Sequence, residues 1–287
     1  YGGVVPEIAS RFHVEYILEV LDEALKASGK RLKDIKLIAV TNGPGLVGAL
    51  LTGVSLAKSL SLSLRVPMIG VNHVLSHLYS AFLGEGEKPD FPFIGLVVSG
   101  GHTAIFYCKD SYKQRLLSQT QDDAAGEAFD KVAKILKLGY PGGPVVERTA
   151  KLSMNKDRVK LPKTFLGVDS LDFSFSGIKT AVLYYVNRLK NVSDEAADIC
   201  YSFQETVTDE LIEKTMRAAE LHKVKDVVVG GGVAANSRLR EKFIDAARFS
   251  EGVKVYFPEK DIAWIMPLWS ECLERNYIKE VIGRIFI

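Results

Sequence analysis

Apolar positions along this chain alternate between short continuous runs and longer helical stripes. From Glu7 to Ala27, Ile8, Phe12, Tyr16, Ile17, Val20, Leu21 and Leu25 recur at helical spacing, which predicts one amphipathic helix. Pro6 suits its first turn, and Ser28-Gly29-Lys30 ends it. Leu37–Thr41 reads as a buried strand running through Asn42-Gly43-Pro44-Gly45 into an apolar helix from Leu46 to about Leu62. Gly48 and Gly53 inside that helix point to close packing on a neighbour. Met68-Ile69-Gly70-Val71 is a second short strand, and Asn72 after it is a good N-cap for a further helix. Phe93–Val98 and His102–Lys109 form a hairpin around Ser99-Gly100-Gly101. The block Asp122–Lys131 opens a helix, its two leading acids placed where the helix dipole favours them. Leu138-Gly139-Tyr140-Pro141-Gly142-Gly143-Pro144 breaks it. Asp172–Thr180 turns into another helix, Ser193–His222 is a long helical region, and Lys225–Val229 is a buried strand. That strand ends in Gly230-Gly231-Gly232-Val233-Ala234-Ala235-Asn236-Ser237-Arg238.

Val40–Gly53 and Val229–Arg240 thus share one pattern, a buried strand passing through glycines into a helix. This predicts the α/β class with two related halves. The charged, glycine-bearing stretch Gly84–Asp90 sets the boundary: residues 1–89 form a first lobe and 90–287 a second.

Composition narrows the picture. At 287 residues and 47% hydrophobic, the chain can build two cores. Its 37 basic and 35 acidic residues leave a net charge of +2, so nucleic acid would have to meet a local basic face. Lys151, Lys156, Arg158, Lys160 and Lys163 offer one, although a solvated loop explains them as well. Cys108, Cys200 and Cys272 form neither a disulfide framework nor a CxxC pair, which suits a reducing cytoplasm. No apolar run approaches the ~20 residues of a membrane span, and the start shows no basic-then-apolar leader.

The candidate chemistry centres on His73 and His77. Four-residue spacing puts them one helical turn apart on the helix that Asn72 opens, where two imidazoles can hold one divalent metal. A pair of polar residues on a half-exposed helix is the competing explanation. Val74 and Leu75 occupy the middle of the motif, so the general-base glutamate of an HExxH protease is missing. Several glycine turns, Ser99–Gly101, Gly142-Gly143 and Gly230–Gly232, have the backbone freedom to approach an anion or to pack helix on sheet. In open α/β folds ligands bind where strands end at their carboxyl side. There is no GxxxxGK[ST] phosphate loop and no hydrolase elbow.

Taken in order, these motifs resemble one family. Tyr1–Arg11, Asn42-Gly43-Pro44-Gly45, His73 with His77, Ser99-Gly100-Gly101-His102-Thr103, Asp122–Lys131, Tyr140–Pro144, Phe173–Lys179 and Gly230–Arg238 are similar to the TsaD/YgjD family, formerly called O-sialoglycoprotein endopeptidase. The likeness covers roughly residues 1 to 257. It implies the two-lobed actin/Hsp70/sugar-kinase fold, with duplicated mixed sheets flanked by helices and the C-terminal end returning to the first lobe. It implies transfer of a threonylcarbamoyl group from threonylcarbamoyl-AMP to N6 of adenosine 37, in tRNAs reading codons that begin with A. One divalent metal, Fe2+ or Zn2+, is expected on His73 and His77. Val97, Val98, Ser99, Gly100 and Gly101 are expected to hold the adenylate, while Asp130, Gly143, Glu147 and Asn236 match nucleotide contacts. ATP or ADP is a further expected ligand. Expected partners are tRNA with a TsaB-like platform paralogue and a TsaE-like ATPase, or KEOPS-type subunits; the expected location is the cytoplasm, with no membrane.

Two departures from the family pattern stand out. The resemblance implies an acidic-Thr-Ser phosphate loop and its strand ahead of Tyr1, so the expectation is a truncated or processed version lacking its first strands. After Phe257-Pro258 the family carries Cys-Thr-Asp-Asn-Ala-Ala-Met-Ile, whose aspartate is the third metal ligand. Here the sequence is Glu259-Lys260-Asp261-Ile262, in which Asp261 is the candidate for that ligand, at shorter spacing and without the following Asn. The alternatives are a non-catalytic platform of the same fold, which would lack the histidine pair, and a small-molecule kinase of the same superfold.

Overall fold

The computed structural model describes residues 5–83, 86–164, 166–167 and 169–258. They belong to two compact units that divide between Ser76 and His77, ahead of the stretch the sequence marks as a linker.

The first unit contains α1 (Pro6–Ser28), β1 (Ile38–Gly43), α2 (Val47–Leu64) and β2 (Met68–Asn72). Pro6 stands in the first turn of α1, and Gly29 ends it in a left-handed conformation with φ 64°. β1 and β2 pair in parallel from Ile38 opposite Met68 to Thr41 opposite Val71. Parallel partners need a crossover, and α2 supplies it, packing on α1 and β1.

α2 corrects one expectation. Its 18 residues have a mean hydropathy of 1.5 and are, by length and composition alone, enough to cross a membrane. Interspersed serines and Lys58, its one charge, hide the run in the sequence. Two of its hydroxyls bond to the preceding turn: Thr52 donates to the Gly48 carbonyl at 2.9 Å and Ser59 to that of Ser55 at 2.9 Å.

Asn72 caps the next helix as its type predicts, its side chain accepting the Leu75 N–H at 3.1 Å. This is α3 (His73–Tyr79), and the division between the units falls within it.

The second unit is built on a five-stranded sheet: β3 (Phe93–Val98), β4 (Thr103–Cys108), β5 (Gln114–Gln119), β6 (Asp226–Gly230) and β7 (Lys254–Tyr256) in the order β5-β4-β3-β6-β7. β3 is buried along its whole length, antiparallel to β4 and parallel to β6, with Val97 opposite Gly230. Around it lie α4 (Ala125–Ile135), α5 (Gly142–Ala150), α6 (Ser176–Val186), α7 (Ala196–His222) and α8 (Ser237–Phe249). Ile94, Leu96, Ile105, Phe129, Phe173, Phe175, Phe203, Val229 and Phe243 belong to one core. Phe129 and Phe203 meet edge-on at 5.0 Å between centroids.

The acids before α4 correct a second expectation. α4 begins only at Ala125, so neither acid lies in its first turn. Asp122 instead caps α6. It accepts hydrogen bonds from the Ser174 and Ser176 hydroxyls at 2.5 and 2.7 Å and from the Phe175 and Ser176 N–H groups at 2.8 and 3.2 Å. Asp123 pairs with Lys131 at 2.6 Å and Lys179 at 2.8 Å. Burial opposes the charge on both carboxylates, but the serine bonds to Asp122 and the lysines around Asp123 outweigh it and lower both pKa values.

Two outcomes are expected. Asp122→Ala removes a cap, an effect of about 1 kcal/mol in urea unfolding at pH 7. Because the folded Asp122 pKa lies below its unfolded value, that advantage is present above the ordinary aspartate range. It disappears as pH falls through the folded pKa; equal stability of wild type and variant at neutral pH would exclude the cap. Cys108 and Cys200 are buried, and burial pushes both thiols up to about 12. Iodoacetamide at pH 8 therefore leaves both unmodified in the native chain and alkylates them in urea, as read by peptide mass spectrometry.

Candidate nucleotide and metal site

β3 and β6 are adjacent and parallel, so their carboxyl ends lie side by side. From one end emerges the Ser99–Gly101 turn, from the other Gly231 to Asn236. The first is a tight hairpin connection: the Ser99 N–H donates to the His102 carbonyl at 2.8 Å, and the His102 N–H donates to Ser99 Oγ at 3.0 Å. Val97 and Val98 are buried beneath it. Gly100 and Gly101 face open space, where a β carbon would touch nothing within 4 Å. Burial lowers the pKa of His102.

Each turn is held by backbone packed on backbone. Gly126 in the first turn of α4 donates to the Ser99 carbonyl at 3.1 Å, and a β carbon there would come within 2.8 Å of the Gly100 backbone. The preceding residue, Ala125, donates to Thr103 Oγ1 at 2.8 Å. Gly231 has φ 102° and lies against the Val98 carbonyl, so both its backbone angle and its surroundings require glycine.

The remaining candidates form a chain of contacts leading from these turns. Asp130 on α4 accepts the Gly142 N–H at 2.7 Å and so fixes the start of α5. Burial raises its pKa despite that bond, and Glu127 adds to the rise. Gly143 follows with open space beside it. Glu147 on α5 accepts from the Ser237 N–H at 3.3 Å and from Lys151 at 3.1 Å, both on Oε1. Asn236 is buried at the start of α8, where its Oδ1 accepts the Leu239 N–H at 3.0 Å. Its amide donates to Gln204 Oε1 at 3.0 Å. Val97–Gly101, Asp130, Gly143, Glu147 and Asn236 are therefore all carried by linked elements of the second unit.

Several of these supports escape sequence reading. Gln204 on α7 carries no local sign that it holds Asn236. Glu205 beside it holds α8 through Arg238 at 2.6 and 3.0 Å and Lys242 at 3.0 Å; burial opposes its charge, and these partners lower its pKa. The basic run is largely engaged within the chain. Lys151 pairs with Glu147, Arg158 with Asp198 at 3.4 Å and Lys163 with Glu213 at 3.5 Å, while Lys156 stands 5.3 Å from the centre of the Tyr201 ring.

α3 carries both histidines, four residues apart. His77 is buried and His73 half-buried. Two imidazoles one turn apart fit two positions of a four-coordinate zinc or iron site. Among the described residues no three His, Cys, Asp or Glu side chains gather as a metal cluster. Asp261 lies outside the described residues.

Comparison with known proteins shows the family. The family described as TsaD, tRNA N6-adenosine threonylcarbamoyltransferase, matches residues 1–263. A protein of that name from Syntrophus aciditrophicus is 49% identical over 260 residues, covering 90% of this chain and 75% of the relative. Another from Dictyoglomus turgidum is 52% identical, covering 90% and 76%. Among solved structures, T. kodakarensis HypF superposes with a TM-score of 0.56 at 15% identity, over 88% of this chain and 42% of that one. That likeness speaks for the fold alone. With half of its residues shared over nine-tenths of its length, the chain belongs to the TsaD family, the tRNA N6-adenosine threonylcarbamoyltransferases.

Proposed function

We propose that this chain transfers the threonylcarbamoyl group of threonylcarbamoyl-AMP to N6 of adenosine 37 in tRNAs reading codons that begin with A. The observation that supports this most is the linked set of glycine turns and carboxylates at the ends of β3 and β6. An acyl adenylate asks for both. Its ribose hydroxyls donate hydrogen bonds, which suits Asp130 and Glu147 as acceptors. Its acyl carbonyl accepts them, which suits N–H groups of the Ser99–Gly101 turn.

The chain's own groups then have distinct tasks. Asp130 uses Oδ1 on Gly142 and Glu147 uses Oε1 on Ser237 and Lys151, so each offers its second oxygen to ribose. Asn236 keeps one amide proton beyond its bond to Gln204 for the nucleotide. Gly143 leaves room for the nucleoside. Gly100 and Gly101 present backbone N–H groups to charge developing on the acyl oxygen. His73 and His77, with Asp261 as the third ligand, would hold divalent iron or zinc, which would supply Lewis acidity to the acyl group. Adenine N6 is a weak nucleophile, so positioning it beside the adenylate contributes more than a strong base would. A base in the anticodon loop becomes accessible by leaving its stack. A TsaB-like platform and a TsaE-like ATPase, or KEOPS-type subunits, complete the machinery in the cytoplasm.

The test is reconstitution. The full chain is incubated with partner proteins, ATP, threonine, bicarbonate and unmodified tRNA, and the nucleosides are analysed by mass spectrometry. The modified adenosine is expected, and its absence overturns the reading. His73→Ala and His77→Ala each lower both product and bound metal, with activity down roughly 100-fold or more, the scale on which misplaced catalytic groups are felt. Asp130→Asn retains metal and weakens adenylate binding by about tenfold, the loss of one charged hydrogen bond.

A further inference from the structure

The end of α3, at His77 and Leu78, sits on the sheet at two places where the sheet has no side chain. Gly95 lies in the middle of β3 opposite Val228, and Gly230 lies two residues beyond Val228 on β6. Register partners of parallel strands and alternate residues of one strand share a face, so both glycines open onto the same side. A β carbon on Gly95 would stand 2.5 and 2.8 Å from the two Leu78 methyl carbons. One on Gly230 would meet the His77 carbonyl oxygen, and would lie 2.6 Å from its carbon and 3.2 Å from the Leu78 nitrogen.

The turn occupying this seat is secured from other directions. The His77 carbonyl accepts the Ser80 hydroxyl at 2.6 Å. At the end of α3 the Tyr79 hydroxyl donates to the Ser111 carbonyl at 3.0 Å and accepts from Gln114 Nε2 at 2.7 Å. Leu78 is fully buried. The helix end is thus pinned to the β4–β5 connection, and its depth is set by what lies beneath it.

We propose that Gly95 and Gly230 are positioning residues for His77: together they form a two-glycine seat that fixes how deep the His77 turn lies against β3 and β6, and hence where its imidazole stands. This rests on the proposed metal site. The two positions differ in kind. Under Gly230 the obstacle would be backbone, and carbon atoms pack best at about 3.5–4.0 Å, so the His77 turn would have to retreat by about 1 Å. Under Gly95 the obstacle would be the end of a leucine side chain, which a second substitution can remove.

Cobalt(II) binding to the metal-stripped full chain tests this, by equilibrium dialysis and by the visible absorption of the bound ion. AMP binding and circular dichroism run alongside. Gly230→Ala is expected to weaken cobalt binding at least tenfold and shift the absorption band, with AMP affinity within twofold of wild type. Gly95→Ala is expected to weaken cobalt binding in the wild-type background and to have no effect in Leu78→Ala, because the atoms it meets are then gone. A folded Gly230→Ala chain with unchanged affinity and spectrum overturns the seat. So does a Gly95→Ala effect of the same size in both backgrounds, and this pair decides the matter if Gly230→Ala does not fold. A wild-type chain that takes up no cobalt overturns the metal site and the seat together.

Discussion

The second unit depends on main chain lying directly on main chain. Where β3 and β6 end, the Gly126 N–H meets the Ser99 carbonyl, Gly231 lies on Val98 and Gly230 on His77. No side chain separates these segments, so their spacing is set by backbone van der Waals contact and hydrogen bonds. Such contacts are short, directional and nearly incompressible. They convert the rigidity of a buried sheet into fixed positions for turns that would otherwise be loose.

Charge is managed around that rigid centre. Glu205 spans α7 and α8 through Arg238 and Lys242, and Asp123 joins the start of α4 to Lys179 on α6. Glu210, deeper in α7, is raised in pKa by burial even though Lys214 pairs with it at 2.8 Å. Lys214 in turn stands 5.2 Å from the centre of the Phe173 ring and donates to the Asp172 carbonyl. The Phe173–Phe175 segment is therefore held from one side by α7 and from the other by Asp122, with both rings in the core. Its alternating serines and aromatics are a structural joint between those elements.

Local chemistry in the sequence proved readable. Apolar periodicity, Pro6, Gly29 and Asn72 mark helix boundaries because their causes lie within a few residues of their effects. The same holds for Ser99–Gly101 as a hairpin turn. Features with distant causes were not readable. β5 is an edge strand of mixed polarity, Gln-Arg-Leu-Leu-Ser-Gln, with no clean alternation to announce it. α5 starts inside a Gly-Gly-Pro stretch that looks only like a breaker, and it is Asp130, twelve residues away, that anchors it. Asp122 is misleading because it adjoins one helix and caps another more than fifty residues on. For the candidate site, the sequence supplied the motifs and the family resemblance. The Glu147–Ser237 and Gln204–Asn236 links that join them exist only once the sheet has brought α5, α7 and α8 together.

The starts of α5, α6 and α8 have each been claimed by the protein itself: Asp130 holds the first, Asp122 the second, and Asn236 with Glu147 the third. Helix starts of this kind are the usual landing places for inorganic anions. With oxygen acceptors from the chain already standing there, a free phosphate or sulfate meets carboxylates where it would need N–H donors. At each of these starts the generic anion position is occupied in advance by the chain's own oxygens.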